Sequence, residues 1–207
     1  LTFQTPRFSS FLKNGSLFVN VDKSLIDKCI KQERKAQFEL YKQCYAFMMK
    51  ICLRYHKNDE DAKEIVNQAF LKVCDHLEKY ESKAPFALWL RRITINTVID
   101  NFRRNKKHKD HLEYSDFEQP PPSGNHVSFN EGAQDLDADA LRAMIRTLPE
   151  TSQQIFNLCI LDGYSYEEVA DMLQVSEATC RWHVFNSRKV LRTMIEKSSK
   201  TEKTMVS

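Results

Sequence analysis

The side chains best suited to chemistry are those that read and hold nucleic acid, and they fall in two clusters. In the C-terminal cluster, Cys180, Val184, Ser187, Leu191 and Met194 trace one inward helical stripe. Arg181, Trp182, Phe185, Asn186, Arg188 and Lys189 are left facing out or flanking it. An outward Arg with an amide nearby suits base edges in the major groove, since Arg pairs with guanine and Asn with adenine. Arg181, Trp182, Phe185 and Asn186 are the base-edge candidates, and Thr179, Arg188, Lys189 and Arg192 suit phosphates, which position a domain without reading sequence. Ser176, at the preceding turn, completes this DNA-binding set. A merely solvated face would strand Trp182 and Phe185 as two exposed aromatics. In the N-terminal cluster, a loop from Tyr80 to Pro85 leads into a segment that mixes Phe86 and Trp89 with a basic end, Arg103, Arg104, Lys106 and Lys107. Buried aromatics beside a basic end can grip a single strand.

Enzymatic chemistry finds no comparable support. The six histidines show no metal-ligand spacing, and there is neither a nucleophile elbow nor a phosphate-cradling Gly-rich loop. The chain is therefore expected to be no enzyme and to use no cofactor or metal.

The elements that must position these groups are helices. Ala62, Ile65, Val66, Ala69, Phe70, Val73 and Leu77 form one buried stripe, with Asn58 as cap and Asp59, Glu60 and Asp61 at the positive end. A following helix opens at Pro85 and buries Phe86, Trp89, Leu90, Ile93 and Val98. Helices are expected over 22–32, 34–56, 59–77 and 85–107, packing through Leu25, Ile26, Phe38, Tyr41, Tyr45, Met48 and Cys52. From His108 to Asp137 periodicity fails, Pro120, Pro121 and Pro122 break any helix, and acids accumulate. Beyond this, Leu141, Ile145 and Leu148 share one helix, and Ile155, Phe156, Cys159 and Ile160 the next. A helix-turn-helix follows: Ser165 and Glu168 make a capping box, Val169, Ala170 and Leu173 bury one face, and Gln174, Val175 and Ser176 supply the turn before a helix from Glu177. Gln174 stands where many such turns place Gly. The fold class is all-α, two small helical domains joined by a flexible acidic linker, the C-terminal one containing the helix-turn-helix. The divisions are an extension over 1–21, a domain over 22–107, the linker over 108–137, a domain over 138–196 and a tail over 197–207.

At 207 residues and 42% hydrophobic content, two modest cores fit better than one large one. The net charge of +3 says little, but the basic residues cluster at 103–109 and 181–192. Six cysteines without a Cys-x-x-Cys pair read as buried thiols of a reducing cytosol, against disulfides or a metal site. No apolar run approaches the roughly 18 to 20 residues of a membrane span, and the N-terminal stretch is not a convincing signal peptide. The expectation is a cytoplasmic protein without membrane insertion.

The run Asp61-Ala-Lys-Glu-Ile-Val-Asn-Gln-Ala-Phe70, followed by Phe86, Trp89-Leu-Arg-Arg-Ile93, Asn96, Asp100 and Arg103-Arg104, resembles the polymerase-binding and promoter-melting domain of bacterial RNA polymerase sigma factors. Leu148-Pro149 and Asp162-Gly-Tyr-Ser-Tyr-Glu-Glu-Val-Ala170 through Arg188-Lys189 resemble the family's other DNA-binding domain. Having only these two domains resembles the small extracytoplasmic-function group. The resemblance implies an initiation factor whose partners are core RNA polymerase, through its beta-prime clamp and beta flap, and promoter DNA. The helix from Asp61 would meet the clamp through Asp61, Glu64, Asn67, Gln68, Leu71 and Lys72. Tyr80, Glu81, Ser82, Lys83 and Asn96 would capture a flipped base of the minus-ten element, with Arg91, Arg92, Asp100, Arg103 and Arg104 along the strand. The C-terminal set would read the minus-thirty-five element, and the acidic linker would occupy a basic, RNA-bearing channel of the polymerase. Trp182, His183 and Asn186 replace the small or basic residues common in the family, so its promoter preference does not transfer. Two further partners stay open: an anti-sigma protein, and a recruiting protein that contacts the aromatic extension or the C-terminal domain. The competing expectation is a helix-turn-helix regulator that is not a polymerase subunit; it would need an effector pocket or dimer interface and not the Asp61 to Phe70 pattern.

Overall fold

The computed structural model describes residues 19–109 and 138–205, and the expectations for the N-terminal extension and the acidic linker lie outside them, apart from 19–21 and the helical 108–109. The described residues are helical, without strands, and fall into two compact units. In the N-terminal unit α1 spans Lys23–Ile30, α2 Arg34–Cys52, α3 Asp59–His76 and α4 Phe86–Lys109. A left-handed Gln32 reverses the chain between α1 and α2, and α4 packs against both α2 and α3.

Local chemistry explains these boundaries. The Asn58 side chain accepts from the Asp61 N–H at 2.7 Å, and all seven residues of the expected α3 stripe are buried. After α2, Arg54 and Tyr55 donate to carbonyls three residues back, which tightens the last turn and tucks in Tyr55. The α2 helix thus stops short of the expected residue 56. Its core line is Ala36, Leu40, Cys44, Met48 and Ile51. Phe38, expected in that core, is 63% exposed; two positions from both Ala36 and Leu40, it falls on the far side of the helix. Tyr41 and Tyr45 sit half-buried at the edge of the line. In α4 the core residues are Phe86, Leu90, Ile95, Val98, Ile99 and Phe102, with Thr94 and Thr97 donating to the Leu90 and Ile93 carbonyls at 2.9 and 2.8 Å. Trp89 and Ile93 are only half-buried.

In the C-terminal unit α5 spans Ala138–Arg146, α6 Glu150–Phe156, α7 Tyr166–Leu173 and α8 Glu177–Met205. Ile145, Leu148, Phe156 and Leu191 are buried together, with Leu141, Met144, Leu161, Val190 and Met194 packed against them. The α6 helix runs on into a π-turn over Asn157–Leu161, closed by the Asp162 N–H on the Asn157 carbonyl at 2.8 Å. One extra residue in that turn shifts the register. Leu158 is therefore the buried residue, while Cys159 is half-buried and Ile160, expected inside, is 37% exposed. The α8 helix continues to Met205 through the segment expected as a tail; no Gly or Pro interrupts it.

The helix-turn-helix forms as its sequence demands. The Glu168 N–H donates to Ser165 Oγ at 3.1 Å and the Ser165 N–H to Glu168 Oε2 at 2.8 Å. Gln174 ends α7 with φ 55° and ψ 46°, the left-handed conformation that a Cβ disfavours. Gln174→Gly is expected to raise stability by about 1 kcal/mol. Calorimetry of the full chain checks this as an upward shift of one unfolding transition.

Among the cysteines, Cys29, Cys44, Cys52 and Cys180 are buried, and burial pushes the Cys44 and Cys52 thiols up to about 12 and Cys180 to about 11. These thiols are neutral packing groups at physiological pH. No described helix is long and apolar enough to cross a membrane.

Candidate nucleic-acid and partner interfaces

The α3 helix divides cleanly. Its core stripe faces α2 and α4, while Asp61, Glu64, Asn67 and Leu71 are exposed and Gln68 and Lys72 half-exposed on the other side. Leu71, at 65%, is the most exposed large apolar residue among those described. Around it the polar groups are already organised. Gln68 donates to Glu64 at 2.9 Å, and Asn67 accepts from the Tyr41 hydroxyl at 2.9 Å. Lys72 pairs with Asp100 at 2.8 Å and Arg104 donates to Gln68 at 3.2 Å, so α3 and α4 are tied by the very residues expected to serve different partners. Asp61 has a second task, since the Asn58 amide donates to its carboxylate at 2.9 Å within the helix cap.

The loop between α3 and α4 stands on an aromatic base. Tyr80 meets Phe86 edge-on with ring centroids 5.2 Å apart and lies 5.4 Å from Trp89, and Phe86 and Trp89 are 5.5 Å apart. Glu81, Ser82 and Lys83 are exposed, with Lys83 bonded to Glu81 at 2.5 Å; that bond lowers the Glu81 pKa and raises that of Lys83. Along α4, Arg92, Asn96 and Arg104 are exposed, and Asp100 and Arg103 half-buried. Arg91 departs from expectation: only 9% exposed, it belongs to the interior of the unit and not to its surface. Three positions before Thr94 and four before Ile95, it falls on their inward side.

On α8 the expected stripe holds at Cys180, Val184, Ser187 and Leu191, but Met194 is half-buried and Ile195 takes the inner position. Phe185 is 42% exposed, Lys189 and Arg192 are exposed, and Trp182, Asn186 and Arg188 half-buried. Ser176 caps the helix, accepting from the Thr179 N–H at 3.0 Å, and its hydroxyl lies 2.7 Å from that of Thr179. Arg181 is bonded to Glu177 one turn back, with Nε at 3.1 Å, and its guanidinium lies 5.0 Å from the Tyr166 ring. The i, i+4 spacing of Glu177 and Arg181 was a signal for that pair that the base-edge assignment passed over. Sequence reasoning also missed the buried bond behind the helix, where Ser152 Oγ and His183 Nδ1 are 2.9 Å apart and Trp182 stands edge-on to the His183 ring. Gln153, Gln154 and Asn157 are buried in the same unit, a polar interior that periodicity does not reveal.

Comparison with known proteins gives two matches in order. The family model for sigma-70 region 2 matches residues 40–108, and that for sigma-70 region 4 matches residues 138–191. The chain belongs to the sigma-70 family. Among its relatives is the ECF RNA polymerase sigma factor SigE of Mycolicibacterium smegmatis, 28% identical over 161 residues that cover 78% of this chain and 62% of the relative. The ECF RNA polymerase sigma-E factor of Escherichia coli K12 is 26% identical over 185 residues, covering 84% of this chain and 94% of the relative. A solved structure of the sigma factor RpoE with the anti-sigma factor NepR from Bartonella quintana aligns at 14% identity and TM-score 0.45, over 76% of this chain and 97% of that one. This chain is an ECF sigma factor, a transcription initiation protein that directs RNA polymerase to promoters. Region 2 thus contains α3, the loop and α4, and region 4 contains the helix-turn-helix.

Proposed function

We propose that this sigma factor divides its work between two faces of region 2 and one face of region 4. The outward side of α3, centred on Leu71 with Glu64, Asn67, Gln68 and Lys72, docks on the clamp of core polymerase, with Asp61 shaping its start. The loop Glu81 to Lys83 and Asn96 hold an extruded base of the minus-ten element, and Arg92, Arg103 and Arg104 follow its phosphates. Arg91, being buried, is not among them. Region 4 meets the polymerase flap and lays α8 in the major groove of the minus-thirty-five element. The factor works in the cytoplasm and contributes no catalytic residue of its own. The observation that carries this reading is the split character of α3, whose stripe is fully buried while a large leucine stays exposed on its back.

In α8, Arg181 and Asn186 read bases and Lys189 holds a phosphate. The Glu177–Arg181 pair is exposed and worth no more than about 1 kcal/mol, so base pairs can take the arginine over. Arg181→Ala and Asn186→Ala are expected to change which upstream bases are preferred, at about 1 to 3 kcal/mol per contact, whereas Lys189→Ala lowers affinity for all sequences. Holoenzyme selection from a randomised minus-thirty-five library tests both; unchanged preferences in the first two variants would take base reading away from them.

A further inference from the structure

The geometry assigns Tyr80 a positioning role: it is the strut of the 81–84 loop, and the captured base is discriminated by the loop's own polar groups and not by stacking on the tyrosine ring. This rests on the proposal that the loop holds an extruded base. Tyr80 follows the short 3-10 turn Leu77–Lys79, and its N–H donates to the Leu77 carbonyl at 3.1 Å. Its ring is committed to Phe86 and Trp89. Its hydroxyl crosses the loop and donates to the Ala84 carbonyl at 2.8 Å. At the far end, the Pro85 carbonyl accepts from Leu88 and Trp89 as α4 begins. Between these anchors Ser82 is held left-handed at φ 56°, a conformation a non-glycine residue keeps only when its surroundings enforce it. Glu81, Ser82, Lys83 and Ala84 meanwhile stay exposed. The loop is thus set before any strand arrives, with its polar side chains displayed and its aromatic ring used underneath. A set of polar groups in fixed positions can tell one base edge from another; a loose one cannot.

The test uses holoenzyme on pre-melted promoter templates that carry each of the four bases, or an abasic site, at successive minus-ten positions. Wild type is expected to prefer one base over the abasic site at the captured position. Tyr80→Phe keeps all three rings and removes only the hydroxyl bond to Ala84. It is expected to flatten discrimination among the four bases roughly five-fold, leave affinity for the abasic template at the wild-type value, and speed hydrogen exchange across 81–86. Tyr80→Phe that discriminates as wild type does overturns the strut role alone, because a stacking ring would survive that change. A wild type indifferent between base and abasic site at every position overturns the capture reading instead.

Discussion

Leu71→Asp is expected to weaken the complex with core RNA polymerase by roughly a hundredfold, about 3 kcal/mol, while leaving the fold intact. Covering an exposed leucine at an interface is worth about 1.5 to 3 kcal/mol, and an unpaired carboxylate in its place adds a desolvation cost. The residue is 65% exposed and lies outside the buried stripe of α3, so unfolding should shift by no more than about 0.5 kcal/mol. Titration of labelled core enzyme gives the affinity and thermal unfolding the control. Asp61 is a poorer probe, since its reversal would also remove the carboxylate that accepts from the Asn58 amide in the helix cap. A Leu71→Asp complex within two-fold of wild type would remove this face of α3 from the interface.

Asn96→Ala is expected to slow open-complex formation about tenfold or more, because bonds to an extruded base yield energy only after the strands part. Asn96 is exposed on α4, so its loss leaves the core alone. Binding of closed duplex should persist, and a template already mismatched across the minus-ten element should restore the rate. A fluorescent base analogue in that element follows the step. Equal defects on duplex and mismatched templates would mean that Asn96 supports polymerase binding rather than melting.

Regular amphipathic helices with side-chain caps were legible from the chain. The α3 stripe and the Ser165–Glu168 box depend on neighbours within a few positions, which the sequence displays directly. Features set by a change of register were not. The π-turn after Phe156 exposes Ile160, and nothing in the order of residues marks the extra one. Phe38 was expected among the packing residues, yet the spacing of Ala36 and Leu40 turns it outward. The resemblance implied a place along the strand for Arg91, while its position on α4 puts it inside. Pairings across helices, such as Tyr41 with Asn67 and Ser152 with His183, belong to tertiary packing and had no local trace.

The two bonds that join α3 to α4 have a thermodynamic consequence under the proposed roles. Lys72 and Gln68 belong to the polymerase side and Arg104 to the strand side, with Asp100, expected along the strand, one turn before it on α4. Whichever partner arrives first must part these links, at about 1 kcal/mol each for half-exposed surface groups. The second partner then finds its residues already released. Linkage makes the effect mutual: polymerase favours capture of the single strand by the same factor as the strand favours retention on polymerase, at most roughly tenfold to thirtyfold if both links part completely.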